Sequence, residues 1–336
     1  MIKAYLRLSR ISIASITGLA PVMGAIAINN FNIFNLLLLF FIGFFGHAYG
    51  MTQNDIMDYK IDKKVSEVSN RPVANGIISI KQAWIFGLIC ILLMFVVAII
   101  IAILTKNYIS IFLLFIPIIC VTLYNIYSKK IPFADILLAI GMFFFIFYGA
   151  FSQQVELYNL PQLVWIICSL GSIQMLSINV IAGGFKDIVN DARQGAKTGA
   201  MVLGLNINKN KIKSSKSFKI ITYILQMIII IIAYLPFILI PNFVSSFFLK
   251  YVMIALITFV SFSTIVLTWK YLNLKYFERE KIRMLFNLQG IINFTLAPIL
   301  LMSVTPFALF IIPIPGIGFF IATILFHEKF MRPTNM

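Results

Sequence analysis

The sequence predicts an all-α fold, a polytopic membrane helical bundle, and three observations predict it. The chain of 336 residues is 61% hydrophobic and only 11% charged, with a mean hydropathy of +0.98, which is far from the composition of a soluble domain. Apolar runs long enough to cross a bilayer, about 18 residues or more, recur along it. Its basic residues fall almost entirely between alternate runs. In lipid every backbone polar group must be satisfied within its own segment, so runs of this kind are helices.

Taken in order, ten stretches qualify: 11–29, 33–53, 82–104, 108–127, 133–151, 161–184, 218–240, 245–269, 284–304 and 306–326. The first follows Lys3, Arg7 and Arg10 and contains Ala25-Ile26-Ala27, so it formally fits a cleaved signal. It is long for a signal core and continues the pattern of the other stretches, and it is read here as a span. In the tenth, Pro306, Pro313 and Pro315 with Gly316 and Gly318 are placed to break the helix or make it re-entrant.

Charge orients the bundle. With a cytoplasmic N-terminus, all of the 27 basic residues except Lys106 and Lys250 lie on the cytoplasmic side, including Lys64, Lys209, Lys329 and Arg332. This is the positive-inside pattern of a multi-pass cell-membrane protein. It accounts for the net charge of +16 without a nucleic-acid partner; the expected partner is the bilayer with its anionic headgroups. Cys90, Cys120 and Cys168 all lie within spans, lack metal-ligand spacing, and read as small apolar residues. Oligomeric state leaves no trace in the sequence.

The chain reads as one integral-membrane domain, 1–336, with two long cytoplasmic loops at 54–81 and 185–217. Each loop begins with an acidic cluster. The first is Asn54-Asp55-Ile56-Met57-Asp58-Tyr59-Lys60-Ile61-Asp62, and the second runs from Lys186-Asp187 through Asn190-Asp191 to Gly195. Five of only 11 acidic residues are in these clusters, and the two clusters suggest a weak internal duplication. The basic stretch 206–217 reads as a flexible loop near headgroups.

On a continuous helix Asp55, Asp58 and Asp62 share a face, as do Asn54 with Asp58 and Asp187 with Asp191. Like charges so close repel, and a bound divalent cation removes that penalty. Oxygen ligands without His or Cys favour Mg2+, which keeps waters and shares its coordination with substrate phosphates. Two such ions bridging a diphosphate would still leave its outer oxygens to cations. Lys60, Arg71, Lys130 and Lys197 stand on the same side, though most loop lysines are equally explained by topology.

In these clusters the chain resembles the UbiA superfamily of intramembrane prenyltransferases. The family pattern N-D-x-x-D-x-x-x-D is met by Asn54, Asp55, Asp58 and Asp62, and an Arg-Pro pair with a glycine follows at Asn70-Arg71-Pro72-Val73-Ala74-Asn75-Gly76. Tyr124 to Lys130 resembles the family's tyrosine and lysine segment. Asp187 and Asp191 match its D-x-x-x-D, with Gly195 and Thr198 as G-x-x-T. The resemblance covers about residues 5–304. Two departures stand out: Asn190 and Gln194 occupy the neighbourhood where many members have a third acid, and 306–326 exceeds the usual nine helices.

The resemblance implies nine family-like helices, with a tenth at 306–326, around a central cavity open to lipid. It implies Mg2+-dependent transfer of a polyprenyl group from a polyprenyl diphosphate to a lipophilic or aromatic acceptor. By carry-over, Asn54, Asp55, Asp58, Asp187 and Asp191 hold metal. Asp62 binds metal or takes the acceptor's proton, and Asp191 is a catalytic candidate as well as a metal ligand. Lys60, Arg71, Tyr124, Lys130 and Lys197 bind diphosphate. Asp135 is an acceptor-side candidate or a helix-end carboxylate, and His47 an acceptor contact or a helix-interface histidine. Phe143, Phe144, Phe145 and Phe147 are candidates for an aromatic lining that keeps water from an allylic cation.

The acceptor stays open between geranylgeranylglyceryl phosphate, toward which the reading leans, an aromatic acid such as 4-hydroxybenzoate or dihydroxynaphthoate, and a tetrapyrrole. An ion-coupled transporter is the alternative of another class, but it would place its acids near the midplane rather than at span ends. A phosphatidyl-alcohol transferase would carry a D-G-x-x-A-R pattern, which this chain lacks.

Overall fold

The computed structural model describes residues 1–63, 68–153, 157–208 and 210–326. Lys64, Lys209, Lys329 and Arg332 of the cytoplasmic charge set lie outside them. The elements in order are α1 (Ile2–Leu8), α2 (Ile11–Ala27), α3 (Ile33–Met57), α4 (Tyr59–Asp62), α5 (Ile80–Thr105), α6 (Ser110–Leu113), α7 (Phe115–Tyr127), α8 (Asp135–Phe151) and α9 (Gln162–Ser177). A π-helical turn, Ile178–Gly183, leads into α10 (Gly184–Gln194) and α11 (Gly199–Val202). Then come β1 (Leu205–Asn208), β2 (Lys211–Ser214), α12 (Lys216–Leu239), α13 (Phe247–Leu272), α14 (Arg279–Phe294), α15 (Leu296–Leu301) and α16 (Ile314–Phe326).

Local chemistry sets many of these boundaries. The side chains of Asn32, Ser215 and Ser246 accept from the backbone N–H groups of Asn35, Phe218 and Leu249, which caps α3, α12 and α13. Ser79 and Gln82 form a reciprocal capping box at the start of α5. Pro21 and Pro236 lie within α2 and α12, as membrane helices tolerate. The outward side chains of α5 are Leu88, Leu92, Ile99 and Ile103. An exposed face that is apolar is the mark of a lipid-facing helix.

Among the described residues eight helices are long and apolar enough to span a membrane, and a ninth if the bent pair α1 and α2 is one span. The first stretch, 11–29, is α2, which α1 precedes at a bend of 58°. The fifth is the 17-residue helix α8, just short of that threshold. The sixth runs on through α10, so that Gln162–Arg193 is one segment. In the tenth, Pro306–Ile311 is 3-10 helix, and Pro306–Phe326 passes as a span. One expectation fails: 206–217 is not an irregular loop. β1 and β2 pair antiparallel, with Ile207 opposite Ile212, and α12 starts at Lys216. The alternation of Ile207 and Ile212 with Asn and Lys is a strand pattern that the basic composition obscured.

The chain packs as two compact units. The first comprises Met1–Ile126, Phe144–Leu160 and Pro313–Met336; the second comprises Tyr127–Phe143 and Pro161–Ile312. In the first unit α3 packs on α2 and α5, and α16 on α2. A Cβ built on Gly149 would overlap the carbonyl of Pro21, and one on Gly24 the carbonyl of Ile146, so α2 and α8 touch backbone to backbone. In the second unit α12 packs on α9 and α13, and α13 on α14. There Phe185, Phe218, Tyr271 and Phe286 form a buried aromatic cluster, with the Tyr271 and Phe286 rings 4.4 Å apart.

Candidate active site

The first acidic cluster straddles a helix end. α3 stops at Met57, and Asp58 is its C-cap. The sequence reading, which put Asp55, Asp58 and Asp62 on one continuous helix, is corrected to that extent. The backbone still spirals across the break, because Asp58 N–H donates to Asn54 O at 2.9 Å and Asp62 N–H to Asp58 O at 2.8 Å. Asp55 and Asp62 therefore meet the same partner. Arg71 Nη1 lies 2.7 Å from Asp62 Oδ2 and 3.5 Å from Asp55 Oδ1. All three side chains are buried.

Arg71 is held by the turn that its Pro72 favours. Arg71 N–H donates to Val68 O, Asn75 N–H to Arg71 O, and Ile78 N–H to Pro72 O. Gly76 closes the turn in the left-handed region at φ +81.

A second guanidinium enters from the bend between α1 and α2. Arg10 Nη2 lies 2.7 Å from Asp55 Oδ1 and 3.0 Å from Asn54 Oδ1. Asn54 Nδ2 is 3.5 Å from Asp58 Oδ2. Arg10 adopts left-handed backbone, φ 45 and ψ 56, a conformation costly for a residue with a Cβ. Both guanidiniums reach Asp55 through Oδ1. Despite Arg71, the Asp62 acid group is raised above its ordinary value. Burial is the main cause; the Arg71 charge opposes it, and the Asp58 and Asp55 charges add to it.

The second cluster lies on α10, directly after the π-helical turn, a distortion frequent near functional sites. Asp191 is buried and Asp187 partly exposed. Arg279 Nη2 lies 2.8 Å from Asp187 Oδ1, and Lys186 Nζ 3.4 Å from Oδ2. Gly195 ends α10 in the left-handed conformation, φ 66, and Ala196 N–H donates back to Asp191 O at 3.0 Å. The next residue, Lys197, donates its N–H to Lys129 O at 3.0 Å. This brings the backbone of the tyrosine-lysine segment to the G-x-x-T segment. Thr198 Oγ1 is buried without a hydrogen-bond partner among the described residues.

Lys60, Lys130 and Lys197 are exposed, and the Lys130 ammonium sits 5.9 Å from the Tyr127 ring centre. Tyr124 is half-buried on α7, one residue before the buried Asn125, whose amide donates to Gly50 O and Gln53 Oε1. Asp135 is the half-buried first residue of α8. His47 Nδ1 lies 3.0 Å from Thr17 Oγ1, a helix-interface contact. Phe145 and Phe147 are buried in the first unit, and the Phe143 ring in the second lies 6.4 Å from Trp165.

Sequence reasoning missed Arg10 and Arg279, which it counted only among topological charges. Nothing local separates Arg10 from Lys3 or Arg7, or Arg279 from Lys281; their partners are 45 and 92 residues away.

Among the described residues no three His, Cys, Asp or Glu side chains converge as in an all-protein metal cage. The donors are instead carboxylate and amide oxygens, one or two close to any point. That suits Mg2+, which takes few protein ligands and fills its octahedron with water and phosphate oxygens. The residues therefore fit the ion that the motifs imply.

The profile of the UbiA prenyltransferase family matches residues 15–291. The chain belongs to the UbiA prenyltransferase family. It is a multi-pass membrane prenyltransferase of that family. Among curated relatives it is 29% identical over 241 residues to the digeranylgeranylglyceryl phosphate synthase of Methanocaldococcus jannaschii, covering 71% of this chain and 77% of that one. It is also 29% identical over 183 residues to the 4-hydroxybenzoate octaprenyltransferase of Albidiferax ferrireducens, covering 53% of this chain and 58% of that one. Among solved structures, the UbiA homologue of Archaeoglobus fulgidus bound to DMAPP and Mg2+ superposes with a TM-score of 0.65 at 17% identity, covering 90% and 99% of the two chains. A structure described for digeranylgeranylglyceryl phosphate synthase in membranes gives 0.63 at 20% identity, with the same coverage. These structures establish the UbiA fold for this chain.

Proposed function

We propose that this UbiA-family enzyme transfers a polyprenyl group from an allylic diphosphate to geranylgeranylglyceryl phosphate, releasing pyrophosphate. The observation that carries the acceptor is the extent of likeness. At the same 29% identity, the match to the digeranylgeranylglyceryl phosphate synthase spans 241 residues and that to the 4-hydroxybenzoate enzyme 183. The latter supports the second reading, an aromatic acid acceptor.

In this proposal Asp55 and Asp58 with Asn54, and Asp187 with Asp191, hold Mg2+. Bound there, the ion would supply positive charge to the diphosphate leaving group. Arg71, Lys60, Lys130, Lys197 and Tyr124 bind the outer diphosphate oxygens. Asp62, raised above the ordinary carboxylate range, is suited to take the proton from the acceptor's hydroxyl. Asp135 lies on the acceptor side. The charge distribution supports a cytoplasmic N-terminus, with both motifs on that side.

The test uses purified protein in detergent with geranylgeranyl diphosphate, Mg2+ and four acceptors: geranylgeranylglyceryl phosphate, 4-hydroxybenzoate, dihydroxynaphthoate and haem B, with products read by mass spectrometry. A Mg2+-dependent digeranylgeranyl product supports the proposal. A prenylated aromatic product with none from the glyceryl phosphate replaces it with the second reading.

A further inference from the structure

We infer that Arg10 and Arg279 are resident counter-ions of the two aspartate motifs, competing with Mg2+ for the carboxylates and so tying metal uptake to the arrival of the diphosphate. The inference rests on the metal assignment of the preceding proposal and adds how the metal is admitted.

Asp55 and Asp62 are nearly inaccessible, and a buried carboxylate without a partner is strongly disfavoured. The first motif meets this with a guanidinium from a remote segment, and the second carries one as well, on Asp187, whose side chain is 35% exposed. Arg10 comes from the bend before α2 and reaches Asp55 and Asn54 together. Arg279, the first residue of α14, reaches Asp187 at 2.8 Å. Neither side chain is in loose surface contact: that of Arg10 is 11% exposed and that of Arg279 7%.

The seat of Arg10 is built. Its left-handed backbone turns the chain by 58° between α1 and α2. α1 is anchored in turn by Arg7, whose Nη2 lies 3.4 Å from Phe326 O and whose guanidinium carbon sits 5.2 Å from the Phe326 ring centre. α16, beyond the family-matched residues, thus braces the bend that delivers Arg10.

Charge then decides the consequence. In the first motif Asp55 and Asp62 face two guanidiniums, Arg10 and Arg71. In the second Asp187 faces Arg279 and Lys186. A lone Mg2+ gains little from Asp55 or Asp187, since each is shared with a fixed cation at short range. Mg2+ arriving with a diphosphate brings its own anion, which the same arginines attract.

The test is Mn2+ binding to the full chain in detergent, followed by electron paramagnetic resonance with and without inorganic pyrophosphate, together with thermal unfolding in EDTA and in Mn2+. Without pyrophosphate, Arg10→Gln is expected to bind Mn2+ at least about tenfold more tightly than the wild type, because a unit charge close to the ion has gone. Its unfolding temperature is expected to fall in EDTA and to recover in Mn2+, a rescue that a merely structural arginine would not show. Arg10→Lys keeps the charge and should behave as the wild type. Arg279→Gln is the independent counterpart at the second motif.

Mn2+ affinity in Arg10→Gln and Arg279→Gln equal to or weaker than that of the wild type overturns the inference. If in that case pyrophosphate-dependent Mn2+ binding still requires Asp55, the metal assignment stands. If that binding survives Asp55→Asn and Asp187→Asn undiminished, the metal assignment falls, and the inference with it.

Discussion

Arg71→Gln is expected to make the stability of the protein depend on pH through Asp62. Arg71 is buried and its Nη1 sits 2.7 Å from Asp62 Oδ2. Removing one partner of such a pair leaves a buried charge uncompensated, at a cost of about 3–5 kcal/mol when Asp62 is ionised. The sign follows from the directions already present. Asp62 is raised above the unfolded carboxylate value in the folded protein, so the folded state binds its proton more tightly than the unfolded state. Stability from this group is therefore fully present below the unfolded value and is lost as pH rises through the folded one.

The charge and hydrogen bond of Arg71 are the two influences that lower the Asp62 value; burial, Asp58 and Asp55 raise it. Arg71→Gln removes the lowering pair, moves the folded value further up, and extends the pH range over which stability is lost. The assay is thermal unfolding in detergent from mildly acidic to neutral pH, for wild type, Arg71→Gln, Asp62→Asn and the double variant. The deficit of Arg71→Gln should be largest at neutral pH and shrink as Asp62 is protonated in acid. Asp62→Asn in the Arg71→Gln background should restore most of it, because the carboxylate that Arg71 left uncompensated is then gone, while Asp55 keeps Arg10 at 2.7 Å. A deficit unchanged across pH, or a double variant no more stable than Arg71→Gln, would falsify the reasoning.

Three other outcomes are expected. Asp55→Asn or Asp187→Asn should abolish Mg2+-dependent pyrophosphate release while leaving thermal unfolding cooperative; near-normal turnover in both would remove them from the metal-binding set. Gly149→Val should destabilise by about 1–3 kcal/mol, read as a lowered unfolding temperature, because the Pro21 carbonyl occupies the space of a side chain; an unchanged temperature would contradict the backbone-to-backbone packing of α2 and α8. Thr198→Val should leave unfolding unaltered, since the Thr198 hydroxyl makes no hydrogen bond among the described residues, yet raise KM for the prenyl diphosphate; an unchanged KM would mean that this hydroxyl meets no substrate oxygen.

The sequence alone determined the class of the fold. Apolar runs of bilayer length admit only helices or closed barrels, so the class is legible without tertiary contacts. Asp55, Asp58, Asp62, Arg71, Asp187 and Asp191 were legible because acids are rare in this chain and fall at fixed spacing. The hairpin at Leu205–Ser214 was not, since a short strand among lysines has the composition of a loop. Nor was the break of α3 at Asp58, because i to i+4 hydrogen bonds cross it almost undisturbed.

Tertiary structure decided what neutralises the carboxylates. Arg10 and Arg279 look in sequence like any other topological charge. They become partners of Asp55 and Asp187 only because a left-handed bend and the start of α14 carry them across 45 and 92 residues. Spacing along a chain reports which side chains share a helix face, whereas pairing between distant helices depends on how those helices pack.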